Sequence, residues 1–204
     1  MGVTSAKQAL PPSEDEPARL QEVLDVAARI FAAKGYQGTS LNDIGEALGM
    51  NKASLYYYVR SKEDLLRRLI LRAGRRLRDV SQDPELVRLP AVASLERLVR
   101  EHCRVVFEHR HELGVLVHQR RYLELDSLGE VSGRERAYVD RLKAVISRGI
   151  AEGAFRPIDT SVASQFVLDT VNGLLRWYRP GGKETRQSVA DEVWHFVRGG
   201  LWAR

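Results

Sequence analysis

The chain reads as an all-α protein of about nine helices, and three observations lead there. Apolar residues recur in steps of three and four along most of its 204 residues, the mark of amphipathic helices. No alternating β-branched segment and no Asn-Gly or Asp-Gly hairpin turn is present. Glycine and proline punctuate the intervals between the periodic segments, clearest at Gly153 with Pro157 and at Pro180-Gly181-Gly182.

The elements follow in order. Residues 1–17, with Pro11, Pro12, Pro17 and the acidic run Ser13–Glu16, have the composition of a disordered arm. Leu20, Val23, Leu24, Ala27, Ile30 and Phe31 form one stripe of a first helix, and Gly35 follows as its C-terminal stop. Ser40 with Asp43 has capping-box spacing and opens a short helix over Leu41–Leu48. Gly49 breaks it, and Asn51 can cap a second short helix that runs to about Tyr58. Ser61 with Asp64 caps a long helix whose stripe is Leu65, Leu66, Leu69, Ile70, Ala73 and Leu77. Residues 91–108, 134–151, 160–178 and 186–198 read as further helices. The expected organisation is an arm (1–17), a small head (18–64) and a helical body (65–204).

This length makes one domain, at most two, at ~100–200 residues each. A single cysteine, Cys103, excludes an intramolecular disulfide framework and suits a reducing compartment. No run of 18 apolar residues spans a membrane, and the N-terminus has no apolar signal core, so a cytoplasmic protein without a membrane partner is expected. The net charge of +5 names no partner, but its distribution is uneven. Residues 14–48 hold three basic and seven acidic groups, whereas 49–80 hold nine basic and three acidic, a local +6.

Two short helices joined by a glycine turn make a helix-turn-helix, with Ile44, Leu48 and Leu55 as its internal core. The outer face of the second helix carries Lys52, Ala53, Ser54, Tyr56 and Tyr57. Lys52 and Ser54 can reach base edges or phosphate, Ala53 permits close approach, and tyrosine hydroxyls can bond phosphate oxygens. Lys62 adds charge at the N-terminus of the next helix. From geometry alone a second reading stands equally, a helical hairpin whose tyrosines only pack.

The same stretch resembles the DNA-binding signature of the TetR family of transcriptional regulators. The likeness rests on Thr39, Ile44-Gly45, Gly49-Met50, Leu55-Tyr56, Tyr57-Tyr58 and Lys62-Glu63-Asp64-Leu65, preceded by AARIFAAKGYQGTS, and covers about residues 20–66. Departures are Gly45 for Ala, Met50 for Val, Ala53 for Gly and Val59 for Phe; none removes a polar group from the DNA face. The resemblance implies that Lys52, Ala53 and Ser54 approach bases. It implies that Thr39, Ser40, Tyr56, Tyr57 and Lys62 hold the DNA backbone, with Asn42 beside the groove. It also implies a body that binds a small-molecule effector and dimerises through its last two helices. Val162, Phe166, Leu174, Val193, Trp194 and Val197 are the expected interface residues, with Trp177, Val189, Phe196, Leu201 and Trp202 on the same helices.

Enzyme motifs are missing: there is no GxxxxGK[ST], GxGxxG or GxSxG, and His111-Glu112 has Val115 where HExxH requires histidine. His102, Cys103, His109, His111 and His118 cluster in sequence but lack the i, i+4 spacing of a helical metal pair, so no metal and no cofactor is expected. More informative is LDTVNGLLRWYRPGGK at 168–183, where Arg176, Trp177 and Arg179 stand before a Pro-Gly-Gly loop. Arginine forks grip phosphates and aromatic faces stack on rings, although exposed arginines and a packed Trp177 account for the same residues. RWYRPGG resembles a segment of TetR-family repressors of lipid and sterol-ring catabolism that respond to acyl-CoA thioesters. By that resemblance Arg176, Trp177, Arg179, Asn172 and Phe107 are expected at an effector site for a long-chain acyl-CoA, and the targets are fatty-acid degradation genes.

The expected mechanism follows. A homodimer places Lys52–Tyr57 of each subunit in successive major grooves of a palindromic double-stranded operator, with half-sites roughly 34–36 Å apart or a multiple of that. Effector favours a conformer with wrongly spaced heads, and the helix at 61–79 is the lever. Arg72, Arg75, Arg76 and Arg78 lie too far along it to share the groove, and either steer DNA at long range or line the mouth of an anion pocket. The rival is a multidrug or antibiotic sensor, with Glu108, Glu112, Glu124 or Asp169 facing a cationic drug.

Overall fold

The structure is a computed structural model and describes residues 18–123 and 125–203; for residues 125–135 the backbone alone is described. The expected arm at 1–17 and Glu124 lie outside the described residues. Among the described residues there are eleven α-helices, nine of seven or more residues and two of four, and no strand. Among the described residues an isolated β-bridge pairs Phe155 with Trp202.

The head is α1 (Ala18–Lys34), α2 (Leu41–Ala47) and α3 (Lys52–Tyr58). Its caps are local and form as their spacing dictates. The Ser40 hydroxyl accepts from the Asp43 amide while the Asp43 carboxylate accepts from the Ser40 amide. Asn51 Oδ1 accepts from the Ser54 amide at 2.8 Å and starts α3. Gly35 and Gly49 end α1 and α2 with φ of +77° and +63°, a region only glycine enters without strain.

From the head, α4 (Lys62–Ser81) runs into the body, touching α1 on one side and α6, α7 and α8 on the other. Its 20 residues span roughly 30 Å. The body is completed by the single turn α5 (Glu85–Arg88), then α6 (Ala91–Glu108), α7 (Arg110–Gln119), a 3-10 turn at Arg120–Tyr122, α8 (Leu125–Ala151), α9 (Thr160–Asn172), the single turn α10 (Leu174–Trp177) and α11 (Arg186–Leu201). α6 is its centre, packed against α4, α7, α8, α9 and α11. Accordingly Leu95, Leu98, Val99, Cys103 and Val106 of α6 are all buried.

Three boundaries differ from the periodicity. α8 begins at Leu125, nine residues before the stretch its apolar spacing marks. The helix expected over 160–178 breaks at Gly173. Glycine is the weakest non-proline helix former, and the Arg110 guanidinium draws the following turn toward α7 by donating to the Leu175 and Tyr178 carbonyls at 3.0 and 3.1 Å. α11 continues through Gly199-Gly200 because Leu201 beyond them is buried in the body and its carbonyl accepts from the Arg156 amide at 2.9 Å.

Candidate nucleic-acid interface and effector domain

α3 is seated by Leu55, which is buried, and by Val59, which closes its C-terminal end against the core. Gly45 lets the two short helices approach: a Cβ there would lie 3.0 Å from the Met50 carbonyl oxygen. With that side anchored, Lys52, Ala53, Tyr56 and Tyr57 are exposed and Ser54 is half-buried. The Lys52 ammonium stands 5.8 Å from the Tyr56 ring centroid, and Tyr57, 85 % exposed, packs its edge on Tyr58. Asn42 and Ser40 are exposed beside it at the start of α2. Arg60, exposed just after α3, is a further cation on this side that motif reading passed over.

Two residues expected on the DNA backbone have other work. Thr39 is 2 % exposed and donates its hydroxyl to the Gly35 carbonyl at 2.8 Å, fixing the corner after α1. The Lys62 ammonium donates to the Tyr36 and Thr39 carbonyls at 3.0 and 2.9 Å and stands 4.4 Å over the Tyr36 ring. Tyr36 is itself stacked on Tyr122 and edge-on to Phe31, so Lys62 braces the head rather than offering a free charge. Lys34 and Asp43 join α1 to α2 at 2.7 Å, and that contact together with the Ser40 hydroxyl holds the Asp43 carboxyl well below the usual carboxylate range.

Arginines further along α4 tie the head to the body. Arg72 is buried; it donates to Gln21 and Asp25 of α1 at 2.7 and 2.6 Å and meets Glu112 of α7 at 3.0 Å. Arg76 meets the other Glu112 oxygen at 3.1 Å. Arg72 is therefore an interhelical ion pair, and neither long-range steering nor a pocket mouth describes it. Arg76 also lines a cleft of about 390 Å³ between α4 and α6, with Arg97, Arg104, Asp83 and Glu101 at its rim and Leu98 and Val105 in its wall.

The expected effector residues divide. Phe107 is buried against the Tyr178 ring, 4.7 Å between centroids. Asn172 is half-buried at the end of α9. Arg176, Trp177 and Arg179 are exposed, and Arg179 donates to the Arg176 carbonyl at 2.9 Å across the end of α10. Histidines 102–118 scatter: His102 is buried in α6, His109 sits between α6 and α7, and His111 and His118 are exposed. Among the described residues no three histidine, cysteine or carboxylate side chains are placed to share a metal ion.

The expected interface residues divide as well. Val162 and Phe166 are exposed, Phe166 by 62 %. Leu174, Val193, Trp194 and Val197 instead face the protomer's own core and are buried. The outward face of α11 is built from Phe196, 72 % exposed, with Gly199 and Gly200, whose Cβ positions are open. α11 packs beside α9, the helix that carries Val162 and Phe166.

Comparison with known proteins agrees with both halves. The family model for bacterial regulatory proteins of the tetR family matches residues 23–69, and that for the tetracyclin repressor-like C-terminal domain matches 88–201. The HTH-type transcriptional repressor KstR2 of Mycobacterium tuberculosis is 34 % identical, over 90 % of this chain and 92 % of its own. The structure of the ketosteroid transcriptional regulator KstR2 of that organism aligns with a TM-score of 0.80 at 27 % identity, covering 94 % of this chain and 99 % of its own. AibR, solved in complex with isovaleryl coenzyme A and operator DNA, aligns with a TM-score of 0.78 at 27 % identity, covering 87 % and 97 %. Head and body thus both correspond, and the chain belongs to the TetR family of bacterial transcriptional regulators.

Proposed function

We propose that the protein is a homodimeric repressor of lipid-degradation genes, fatty-acid degradation foremost, released from a palindromic operator by an acyl-CoA. The reading head is Lys52, Ala53, Ser54, Tyr56 and Tyr57, flanked by Ser40 and Asn42, with Lys62 and Thr39 holding its frame. The observation that carries the lipid class is that the likeness to KstR2, a ketosteroid transcriptional regulator, extends through the body, over 90 % of the chain, instead of ending with the head. The bound isovaleryl coenzyme A of AibR supports a CoA thioester as the effector. Arg176, Trp177 and Arg179 would meet the charged, ring-bearing end of such a ligand at the surface. Asn172 and Phe107 lie toward its apolar part.

Two copies would pair through Val162, Phe166 and Phe196, large apolar groups that a lone protomer leaves in water. A drug-responsive reading loses support from the carboxylates it needs. Glu112 is held by Arg72 and Arg76, Glu108 by Arg104, and Asp169 accepts from Gln165. The test is fluorescence anisotropy on DNA from upstream of the protein's own gene, followed by titration with lauroyl-CoA and isovaleryl-CoA. Binding that either thioester reverses is expected. DNA binding indifferent to both overturns the effector, and no binding to that DNA overturns the operator assignment.

A further inference from the structure

Among the buried polar atoms that lack a hydrogen-bond partner, three meet at one place in the interior of the body. His102 of α6 is fully buried, and both ring nitrogens lack a hydrogen-bond partner. Asn172, at the end of α9, faces this imidazole closely enough to oppose part of the fall in its pKa, but no well-formed hydrogen bond joins them and its buried Oδ1 is left unpaired too. Tyr138 of α8 lies edge-on to the imidazole at 5.2 Å, but its hydroxyl is turned to the Leu98 carbonyl at 3.4 Å. Three helices therefore converge on a small polar spot inside an apolar core. Native interiors leave few such atoms, and those they leave call for a partner such as an ordered water, an ion or a ligand.

The chemistry of the spot is definite. Burial pulls the His102 pKa down to about 4, so the ring is neutral at physiological pH and offers one N–H donor and one acceptor nitrogen. Asn172 adds an acceptor oxygen. Among the described residues no ion pair reaches His102, and the spot fits an uncharged group better than a charged one. It fits a single oxygen of an otherwise apolar molecule: a carbonyl accepts from the imidazole, and a hydroxyl can do that while donating to Asn172. The spot also lies close to the surface, since Asn172 is half-buried and the chain breaks at Gly173 directly beside it. Arg176 and Trp177 are exposed one turn further on.

We infer that His102 and Asn172 form the inner recognition point of the effector site, taking a carbonyl or hydroxyl oxygen on the apolar part of the ligand. This rests on the body being an effector domain, and it is independent of the effector's being a CoA thioester. The ligand enters where α9 gives way to α10, and its oxygen supplies hydrogen bonds to His102 and Asn172 that the fold itself does not. The inference explains why a polar histidine stands in the central stripe of α6, where leucine would pack as well.

The experiment uses the full-length protein labelled with 15N-histidine and two probes, lauroyl-CoA and the uncharged ketone androstenedione. The His102 imidazole signals are assigned with His102→Leu. A probe that binds is expected to shift those signals. His102→Leu is expected to weaken that probe roughly tenfold, the worth of one buried hydrogen bond, without losing operator binding or lowering the melting temperature. If lauroyl-CoA binds and the signals stay in place, the site is overturned and the acyl-CoA reading stands. If lauroyl-CoA does not bind and androstenedione moves them, the site stands and the acyl-CoA reading falls. If neither probe moves them, the site is overturned. Should His102→Leu fail to fold, the signals of the unaltered protein still decide.

Discussion

Two lysines that look alike in the motif should behave oppositely. Lys62→Ala removes two charge-assisted hydrogen bonds, to the Tyr36 and Thr39 carbonyls, and a cation held 4.4 Å over the Tyr36 ring. Each such bond is worth ~1.5–3 kcal/mol and the ring contact ~0.5–1 kcal/mol, before allowing for water that reaches a half-buried site in the variant. With that allowance the expected loss is about 2–3 kcal/mol, a fall in Tm of roughly 5–10 °C for a chain this long. Lys52 is exposed on α3 and, among the described residues, makes only the 5.8 Å contact with Tyr56, so Lys52→Ala should change stability by no more than ~0.5 kcal/mol. On DNA the order reverses. A phosphate contact contributes ~0.9 to the slope of log K against log salt, so losing Lys52 from both subunits should reduce it by about 1.8, while Lys62→Ala leaves it in place. Thermal melts and salt-dependent anisotropy on the operator read both quantities. Lys62→Ala with an unchanged Tm and a slope reduced as far as Lys52→Ala would refute the brace.

Other expectations follow from the same contacts. Phe166→Glu or Phe196→Glu should yield a monomer by light scattering and lower operator affinity by roughly 10²–10⁴, the loss of bivalent attachment; a dimer of unchanged mass would relocate the interface. Because burial lowers the His102 pKa from 6.5 to about 4, the unfolded chain binds the proton more readily between those values. Stability from this residue is therefore complete above pH 6.5 and is lost as pH falls toward 4, by about 3 kcal/mol. Burial lowers His109 and His111 in the same direction, so the contrast between wild type and His102→Leu across that window isolates His102, and identical slopes would contradict its burial. Gly149→Ala places a Cβ 2.1 Å from the Phe155 ring. The ~1 kcal/mol of helix propensity it gains is outweighed by ~1–3 kcal/mol or more of overpacking, so urea unfolding should show a net loss, and a stabilised variant would mean that Phe155 moves aside freely.

The head was legible because its determinants are local. Ser40 with Asp43, Asn51 with Ser54, Ser61 with Asp64, and Gly49 all act within three or four residues, so spacing alone places α2, α3 and the start of α4. The body was legible only as a set of apolar stripes. A stripe states that a helix face is covered and leaves open by what. Trp194 and Phe196 are two residues apart on α11, yet one packs inside its own protomer and the other stands in water.

What the chain determines by itself is therefore the all-α class, the helix-turn-helix and the cluster of cations around it, since helix periods and caps are written in neighbouring residues. What only the tertiary structure decided are the partners of groups far apart in sequence. Lys62 reaches back 26 residues to Tyr36, and Arg72 reaches back 47 to Asp25 while also meeting Glu112. His102 is left facing Asn172 across two helices with its nitrogens unpaired. Such contacts leave no period in the sequence, because a hydrogen bond or ion pair depends on where two helices cross, and the packing of the whole core sets that crossing.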